Sequence, residues 1–296
     1  MRASALRGLL PGHAVSAAAP VEATAATSGT RVAGRYRTAL KALLIEQGRN
    51  HTALLLLVGF VPLWYGLMVV LVPADAVAFR FRVTGQFLQV NGQQLSLITA
   101  GLNAITLIVG FVLFSATRRG MAFDRRLALA GYPRGTLLWA KLTALTLVSA
   151  AVALYASVVL LAFWRPGGLL LIFAGCFCAA LTYGAFGFLL GVLVRGELEG
   201  FFLVIMLSLM DAFLQNPIGN PAANKDLLAY FPTFAPTQLA VAGGFTSAFP
   251  DRYIGLALAW AAAFALLGSL IFAVRTRIAG RRTANARPPA AINLGG

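Results

Sequence analysis

Charged residues are scarce in this sequence. Only 11% of its 296 residues are Asp, Glu, Lys or Arg, while 59% are hydrophobic and the mean hydropathy is +0.80. Since soluble domains carry roughly 25% charged residues, the composition predicts an integral membrane protein. The net charge of +15 would suggest nucleic acid as the partner of a soluble chain. Here the basic residues border apolar runs, so membrane orientation and anionic lipid headgroups explain them, and no nucleic-acid partner is expected.

Cysteine and histidine are almost absent. Cys176 and Cys178 stand two residues apart in one apolar run. They would point to different sides of a helix, so they cannot bridge each other and no disulfide framework is expected. The two histidines, His13 and His51, leave nothing from which to assemble a haem or zinc site. We therefore expect no metal and no cofactor on this chain.

Motifs of energy coupling are also missing. No G-x-x-x-x-G-K-[ST] phosphate loop occurs, so the chain does not bind and hydrolyse ATP by that route. No paired carboxylates of an intramembrane proton relay are present, because Asp211 is the only acid deep inside a predicted span. Such a group is a functional candidate, although a position at the outer interface is the favoured interpretation.

What the sequence does contain is six apolar runs near the length of about 20 residues that a membrane span needs. The runs are residues 52–72, 95–117, 142–163, 169–194, 200–218 and 254–274. The fifth is the weakest, because it contains Asp211 and ends at Asn216-Pro217. We predict an all-α membrane protein with six transmembrane helices in one domain (residues 35–277). A disordered cytoplasmic tail (1–34) and a cytoplasmic C-terminal tail (278–296) should flank it.

Basic residues alternate across these runs. Nineteen of the 24 fall on the side of the two termini and of the 118–141 and 195–199 loops. The other side holds five: Arg80, Arg82, Arg165, Lys225 and Arg252. By the positive-inside rule both termini are cytoplasmic, and an even number of spans agrees. We expect a multi-pass protein of the bacterial plasma membrane.

The longest charged interval between apolar runs is residues 118–141, RRGMAFDRRLALAGYPRGTLLWAK. Residues 121–130 are predicted to form one short amphipathic helix, which Gly131-Tyr132-Pro133 should end. Its apolar side chains are Met121, Leu127 and Leu129. Its charged side chains are Asp124, Arg125 and Arg126. A short helix held between two spans can transmit a movement of a cytosolic partner to the helix bundle. The alternative is a solvated basic loop that only sets topology.

Residues 35–47 have the pattern of a helix that lies in the membrane interface. One face carries Tyr36, Leu40, Leu43 and Leu44, and the other carries Arg37 and Lys41. The alternative is a basic extension of the first span.

The segment 215–252 is rich in proline, yet it contains apolar stretches at 227–234 and 239–242. A solvated loop would not need them. Part of the segment is therefore expected to fold back against the outer half of the membrane.

The second predicted span carries a polar stripe at three- and four-residue spacing, which places its members on one helix face. The stripe consists of Ser96, Thr99, Asn103, Thr106, Gly110 and Thr117. Because lipid would not favour such a face, it meets protein or water. We expect Ser96, Thr99, Asn103 and Thr106 to line a substrate path, with helix packing as the alternative. The fourth span has a small-residue face, which should serve close helix packing: Ala180, Gly184, Gly187 and Gly191.

This layout resembles the permease subunits of type-2 ABC exporters, the ABC-2 family, over roughly residues 35–282. The resemblance rests on the helix before the first span, on the loop DRRLALAGYPRGTLLWAKL with its charged-then-Gly-x-Pro pattern, and on the outer segment FPTFAPTQLAVAGGF. It implies a cytoplasmic coupling helix that docks on a separate ATPase, an N-terminal interfacial helix, and short re-entrant helices in the outer segment. The matching positions are Asp124, Arg125, Arg126 and Leu127 for the coupling helix, and Arg37 and Lys41 for the interfacial one.

The function implied by the resemblance is a permease that exports an amphiphilic or lipid-like compound or drug. The chain would not be an enzyme, because ATP and Mg²⁺ would bind to the partner ATPase. The expected partners are that ATPase, a second permease copy in a homo- or heterodimer, and membrane lipids. Two alternatives remain open. One is an integral-membrane enzyme acting on lipid, against which the missing acid, histidine and metal clusters count. The other is an ion-coupled secondary transporter, whose inverted repeats with intramembrane charges are not evident.

Overall fold

The fold is given by a computed structural model that describes residues 21–285 except 221, 222, 224 and 247, with side chains described between residues 33 and 275. Eight α-helices make up most of this part of the chain: α1 (Val21–Gly48), α2 (His51–Leu71), α3 (Gly92–Leu129), α4 (Arg134–Leu160), α5 (Leu169–Leu193), α6 (Glu197–Gln215), α7 (Phe234–Phe245) and α8 (Asp251–Asn285). A hairpin of strands β1 (Ala76–Arg80) and β2 (Phe87–Asn91) joins α2 to α3. A short 3-10 helix, Asp226–Tyr230, precedes α7.

Five of the described helices are long and apolar enough to cross a membrane, namely α2, α3, α4, α5 and the part of α8 over Asp251–Arg275. They coincide with five of the six predicted runs, so the predicted all-α membrane protein is confirmed. The remaining predicted span, the fifth (residues 200–218), corresponds to α6. It is not among the five, and it carries three acids, Glu197, Glu199 and Asp211. Its crossing of the membrane stays a prediction.

The centre of the bundle is α3, whose apolar part is almost entirely buried and which packs against α2, α4, α5 and α6. Its tightest contact is with α5, where glycines let the two backbones approach. A methyl group on Gly187 would overlap the carbonyl oxygen of Gly110, and one on Gly191 would lie 2.7 Å from Thr117 Cβ. The predicted packing role of the small-residue face of α5 is therefore confirmed.

The prediction of a separate short helix at residues 121–130 is wrong. Instead, α3 runs without a break for 38 residues, about 57 Å, from Gly92 to Leu129. The residues after Thr117 are mainly arginine, alanine, leucine and methionine, which are good helix formers. Gly120 alone does not stop the helix. The last 12 residues of α3 thus continue, for about 18 Å, beyond the end of the apolar run.

The first helix begins at Val21, whereas the sequence predicted a disordered tail up to residue 34. The alanine-rich run EATAAT favours helix, so α1 extends 14 residues beyond the predicted start at Arg35. The predicted division of its faces is confirmed, because Arg37 and Lys41 are exposed while the apolar face is partly buried. Residues 1–20 of the predicted tail lie outside the described part of the chain.

The last helix also extends beyond its predicted end. The sequence placed the start of a C-terminal tail at residue 278, but α8 continues to Asn285. The rest of that predicted tail, residues 286–296, lies outside the described residues.

The β-hairpin between α2 and α3 was not predicted. Its strands pair antiparallel from Ala76 opposite Asn91 to Arg80 opposite Phe87. Phe79 and Val90 are buried, whereas Phe87 is 75% exposed. Gly85 supplies the left-handed conformation of the turn, with φ +70°. Each strand has only five residues, too few for a clear alternating signal in a moderately polar segment.

Candidate functional site

The end of α3 is defined by a Schellman motif. The backbone N–H of Tyr132 donates to the carbonyl of Leu127 at 3.0 Å, and that of Gly131 donates to Ala128 at 3.4 Å. Gly131 adopts φ +82°, a left-handed conformation that costs glycine little. Pro133 then leads directly into α4. The predicted break at Gly131-Tyr132-Pro133 is confirmed, and the turn between α3 and α4 is fixed.

A buried ion pair joins the two helices next to this turn. Lys141 Nζ on α4 lies 2.8 Å from Asp124 Oδ2 on α3, and the two side chains are 8% and 6% exposed. Lys141 also lies 6.0 Å from the ring centre of Phe272 on α8, within the range of a cation–π contact. Asp124 was predicted to be a charge on the outer face of a docking helix. That placement is wrong, because Asp124 holds α3 to α4 inside the protein.

The other predicted coupling residues stay on the surface. Arg125 and Arg126 are exposed and Leu127 is half-buried. Two apolar side chains on the same turns are also exposed, Phe123 at 62% and Leu129 at 46%. We call the exposed set on the last three turns of α3 the basic surface: Arg119, Phe123, Arg125, Arg126 and Leu129. Arginine mixed with exposed aromatic and aliphatic groups is typical of protein interfaces.

The N-terminal helix reaches the same region. Tyr132 Oη in the α3–α4 turn donates to the carbonyl oxygen of Arg35 on α1 at 2.6 Å. Farther along, Tyr36 Oη donates to Thr143 Oγ1 on α4 at 2.8 Å. The structure therefore brings the predicted interfacial helix, which carries Arg37 and Lys41, against α4 and against the turn that follows the predicted coupling residues.

Two arginines tie the end of α5 to this region. Arg118 Nη1 on α3 donates to the carbonyl of Val194 at 2.7 Å, and Arg275 Nη2 on α8 donates to that of Leu193 at 3.0 Å. The last carbonyls of a helix lack intrahelical partners and carry partial negative charge, so arginine is well suited to satisfy them. Arg118 and Arg275 thereby link α3 and α8 to the end of α5. The sequence gives no local signal of these contacts.

The polar stripe of α3 faces α6. Asn103 Nδ2 donates to the carbonyl of Ser208 at 3.3 Å and to its Oγ at 3.4 Å. Thr106 Oγ1 lies 2.6 Å from the same Ser208 Oγ. Ser96, Thr99, Asn103 and Thr106 are all buried, so within one chain much of the stripe serves helix packing. Ser208, the hub of these contacts, was not singled out from the sequence.

Part of the stripe also borders a cavity of about 180 Å³ between α2, α3 and α6. Thr99 and Asn103 line it on α3, with Trp64 on α2 and Phe213 on α6. A role in packing and a role along a path are therefore compatible for these two residues. The substrate path itself stays a prediction.

Asp211 lies inside the protein, in the second half of α6. Its Oδ2 accepts hydrogen bonds from Tyr183 Oη on α5 and from the backbone N–H of Thr233, both at 2.9 Å. The side chain is fully buried. Asp211 thus joins α6 to α5 and to the start of α7, which is a structural role.

Within the described residues, no group of three or more His, Cys, Asp or Glu side chains could hold a metal ion. Comparison of the sequence with protein-family models and with curated proteins finds no match.

Proposed function

We propose that this chain is the permease subunit of a type-2 ABC exporter, which moves an amphiphilic or lipid-like compound or drug out of a bacterial cell. A separate cytosolic ATPase subunit would supply the energy. The observation that carries the proposal is the basic surface on the last three turns of α3. It combines exposed arginines with exposed apolar side chains beyond the end of a membrane-length apolar run.

A loop that only sets topology would not need this surface. Positive charge alone satisfies the orientation rule, whereas exposing Phe123 and Leu129 to water is unfavourable, by about 25 cal/mol for each Å² of apolar area. A protein partner that covers both side chains would recover this free energy. Arg125 and Arg126 could then form charge-assisted hydrogen bonds with acidic groups of that partner.

The basic surface is built to transmit a displacement. It belongs to the same continuous helix that forms the centre of the bundle. The ion pair between Asp124 and Lys141 couples it to α4, and Arg118 couples it to the end of α5. A push on the end of α3 would therefore move packed helices rather than bend a loop.

The rest of the proposal concerns topology and assembly. Both termini are placed in the cytoplasm, α6 crosses the membrane as a sixth span, and α7 with the 3-10 helix before it forms the outer re-entrant segment. Two permease copies pair. The cavity beside Thr99 and Asn103 lies next to the exposed outer faces of α2 and α6, where a second copy could complete a path for an amphiphile.

A charge-reversal experiment tests the proposal. The permease is expressed in its native membranes with an affinity tag, solubilised in mild detergent and assayed for co-purifying ATP hydrolysis. The double variant Arg125→Glu/Arg126→Glu should lose most of that activity while its own yield stays unchanged. A matched reversal at the other end of the bundle, Arg80→Glu/Arg252→Glu, should retain it. Equal ATP hydrolysis in both variants would refute the docking role of the basic surface.

A further inference from the structure

A large apolar cavity lies on a side of the bundle that the proposed function does not use. It measures about 370 Å³ and lies between the start of α2, the middle of α3 and the middle of α4, with the end of α1 at its rim. A volume of 300–1,000 Å³ is usual for a pocket that binds a small molecule. The lining is almost wholly apolar and includes Leu44, Ala53, Leu57, Val109, Val148 and Val152.

Water is a poor occupant for this cavity. A buried water molecule needs two to four polar partners, but Gln47 is the only lining residue with a polar side chain. The cavity also reaches the outer surface of the bundle, because two of its lining residues, Leu54 and Leu147, are 41% and 45% exposed. Both belong to membrane-spanning helices. The medium outside the opening is therefore lipid hydrocarbon, which can fill an apolar space without loss of hydrogen bonds.

Two basic residues lie close in sequence to the lining residues of α1. Gly48 lines the cavity, and the exposed Arg49 follows it in the chain, at the junction of α1 and α2. Lys41 is exposed on α1, about two turns before Arg49, and Glu46 is the one acid between them. Neither Arg49 nor Lys41 forms an ion pair with a residue in the part of the chain that the structure describes. Basic residues at a membrane surface attract anionic lipid headgroups.

We infer that this cavity binds one acyl chain of an anionic phospholipid, with the phosphate-containing headgroup held at Arg49 and Lys41. The chain enters between Leu54 of α2 and Leu147 of α4 from the leaflet that α1 borders. A bound lipid would fill the space between α1 and the bundle and so hold the end of α1 in place. The inference depends on the five membrane-length helices and not on transport.

Photo-crosslinking tests this site. The purified full-length chain is placed in lipid nanodiscs that contain phosphatidylglycerol with a diazirine on one acyl chain, or phosphatidylcholine with the same diazirine. After illumination, crosslinked residues are mapped by peptide mass spectrometry. With phosphatidylglycerol, adducts should concentrate at Leu54, Leu147 and Ala151. They should be several-fold fewer at Leu154, which is 57% exposed on α4 but does not line the cavity.

Two variants separate the acyl-chain and headgroup parts of the site. Ala151→Trp should fill the cavity and abolish the concentrated labelling, while Leu154→Trp should leave it unchanged. Arg49→Gln should lower the affinity for phosphatidylglycerol about fivefold, since one basic residue near an anionic surface changes the affinity by about that factor. If Ala151→Trp does not fold, Val148→Phe provides a smaller filling change, and the map of the unaltered chain remains decisive.

Uniform labelling of all lipid-facing residues in the unaltered chain would overturn the site. Equal labelling of the cavity by phosphatidylcholine and phosphatidylglycerol would overturn the headgroup assignment. Displacement of the adducts by an amphiphilic transport substrate at low concentration would show that the cavity serves the cargo instead and would also overturn the inference.

Discussion

Lys141 Nζ and Asp124 Oδ2 lie 2.8 Å apart in a site that solvent barely reaches. The pair links the last turns of α3 with the first turns of α4 across the tight turn at Gly131. Because both charges have left water, the cost of desolvating them offsets much of their mutual attraction. We expect the pair to fix the position of the basic surface relative to the bundle, whatever its net contribution to stability.

The ion pair should respond differently to single and double substitution. Asp124→Asn or Lys141→Met alone leaves one buried charge unpaired, so each should destabilise the folded protein by about 3–5 kcal/mol. The double variant Asp124→Leu/Lys141→Met should restore most of that loss. Thermal unfolding in detergent provides the measurement.

The ion pair between Arg82 and Asp226 serves as the control, because Asp226 is 98% exposed while Arg82 is 19% exposed. Asp226→Asn should change stability by at most about 1 kcal/mol. Single variants of the buried pair that unfold at the same temperature as Asp226→Asn would show that Asp124 and Lys141 do not hold the two helices together.

The contact between α3 and α5 predicts a sharp effect of one methyl group. Gly187→Ala would press its Cβ against the carbonyl oxygen of Gly110, and backbone cannot yield as a flexible side chain can. We expect a loss of about 1–3 kcal/mol, seen as a lower unfolding temperature and a lower yield of monodisperse protein.

Gly255 on α8 is the matched control, since a methyl group there would meet no atom within 4 Å. Gly255→Ala should be neutral or stabilise by up to about 1 kcal/mol through helix propensity. An equal tolerance of both alanines would argue against close backbone packing of α3 on α5.

Thiol labelling in intact cells tests the proposed topology. A cysteine at Gln86, in the exposed turn of the hairpin, should react with an impermeant maleimide, whereas one at the exposed Gly135 should react only after permeabilisation. The native Cys176 and Cys178 are buried and give a low background.

The same reagent tests whether α6 crosses the membrane. Leu198 lies in the first turn of α6, and Tyr230 ends the 3-10 helix that follows α6; they are 81% and 74% exposed. A cysteine at Tyr230 should label from outside and one at Leu198 should not. Labelling of both from the same side would remove α6 from the set of spans, and labelling of Gly135→Cys in intact cells would invert the topology.

The two roles of the polar stripe, helix packing and a substrate path, can be tested separately. Ser208→Ala removes the partner that Asn103 and Thr106 share on α6. This variant should lower the stability by about 0.6 kcal/mol, the average for such hydrogen bonds in membranes, and it should not alter transport.

Asn103→Leu also changes the wall of the cavity beside α2. If the stripe lines the path, this variant should fold normally but alter stimulation of ATP hydrolysis by cargo. Normal transport per folded molecule in both variants would assign the stripe to packing alone.

The features that could be predicted from the sequence depend on local periodicity. Five apolar runs, the exposed side of α1 at Arg37 and Lys41, the glycine face of α5 and the turn at Gly131 all follow from spacing within one helix or one turn. In each case the physical cause is a rule of helix geometry that needs no knowledge of neighbouring helices.

The features that could not be predicted are contacts between distant segments. Asp124 looked like an exposed charge because its partner Lys141 is on the next helix, and Ser208 was overlooked because only tertiary packing places it against Asn103 and Thr106. The continuation of α3 through residues 118–129 was missed for a different reason. The charge pattern suggested a separate surface helix, although no proline separates that segment from the apolar run.

The most direct test of the account is a crosslink from the basic surface. A photoreactive phenylalanine analogue is placed at Phe123, which is 62% exposed, and, as the control, at Phe87, which is 75% exposed on the hairpin. After illumination in native membranes, the crosslinked products are probed with a radiolabelled azido-ATP. The account predicts an ATP-binding adduct of ATPase-subunit size from Phe123 and none from Phe87. Adducts from Phe123 that contain only lipid, with no ATP-binding protein, would contradict it.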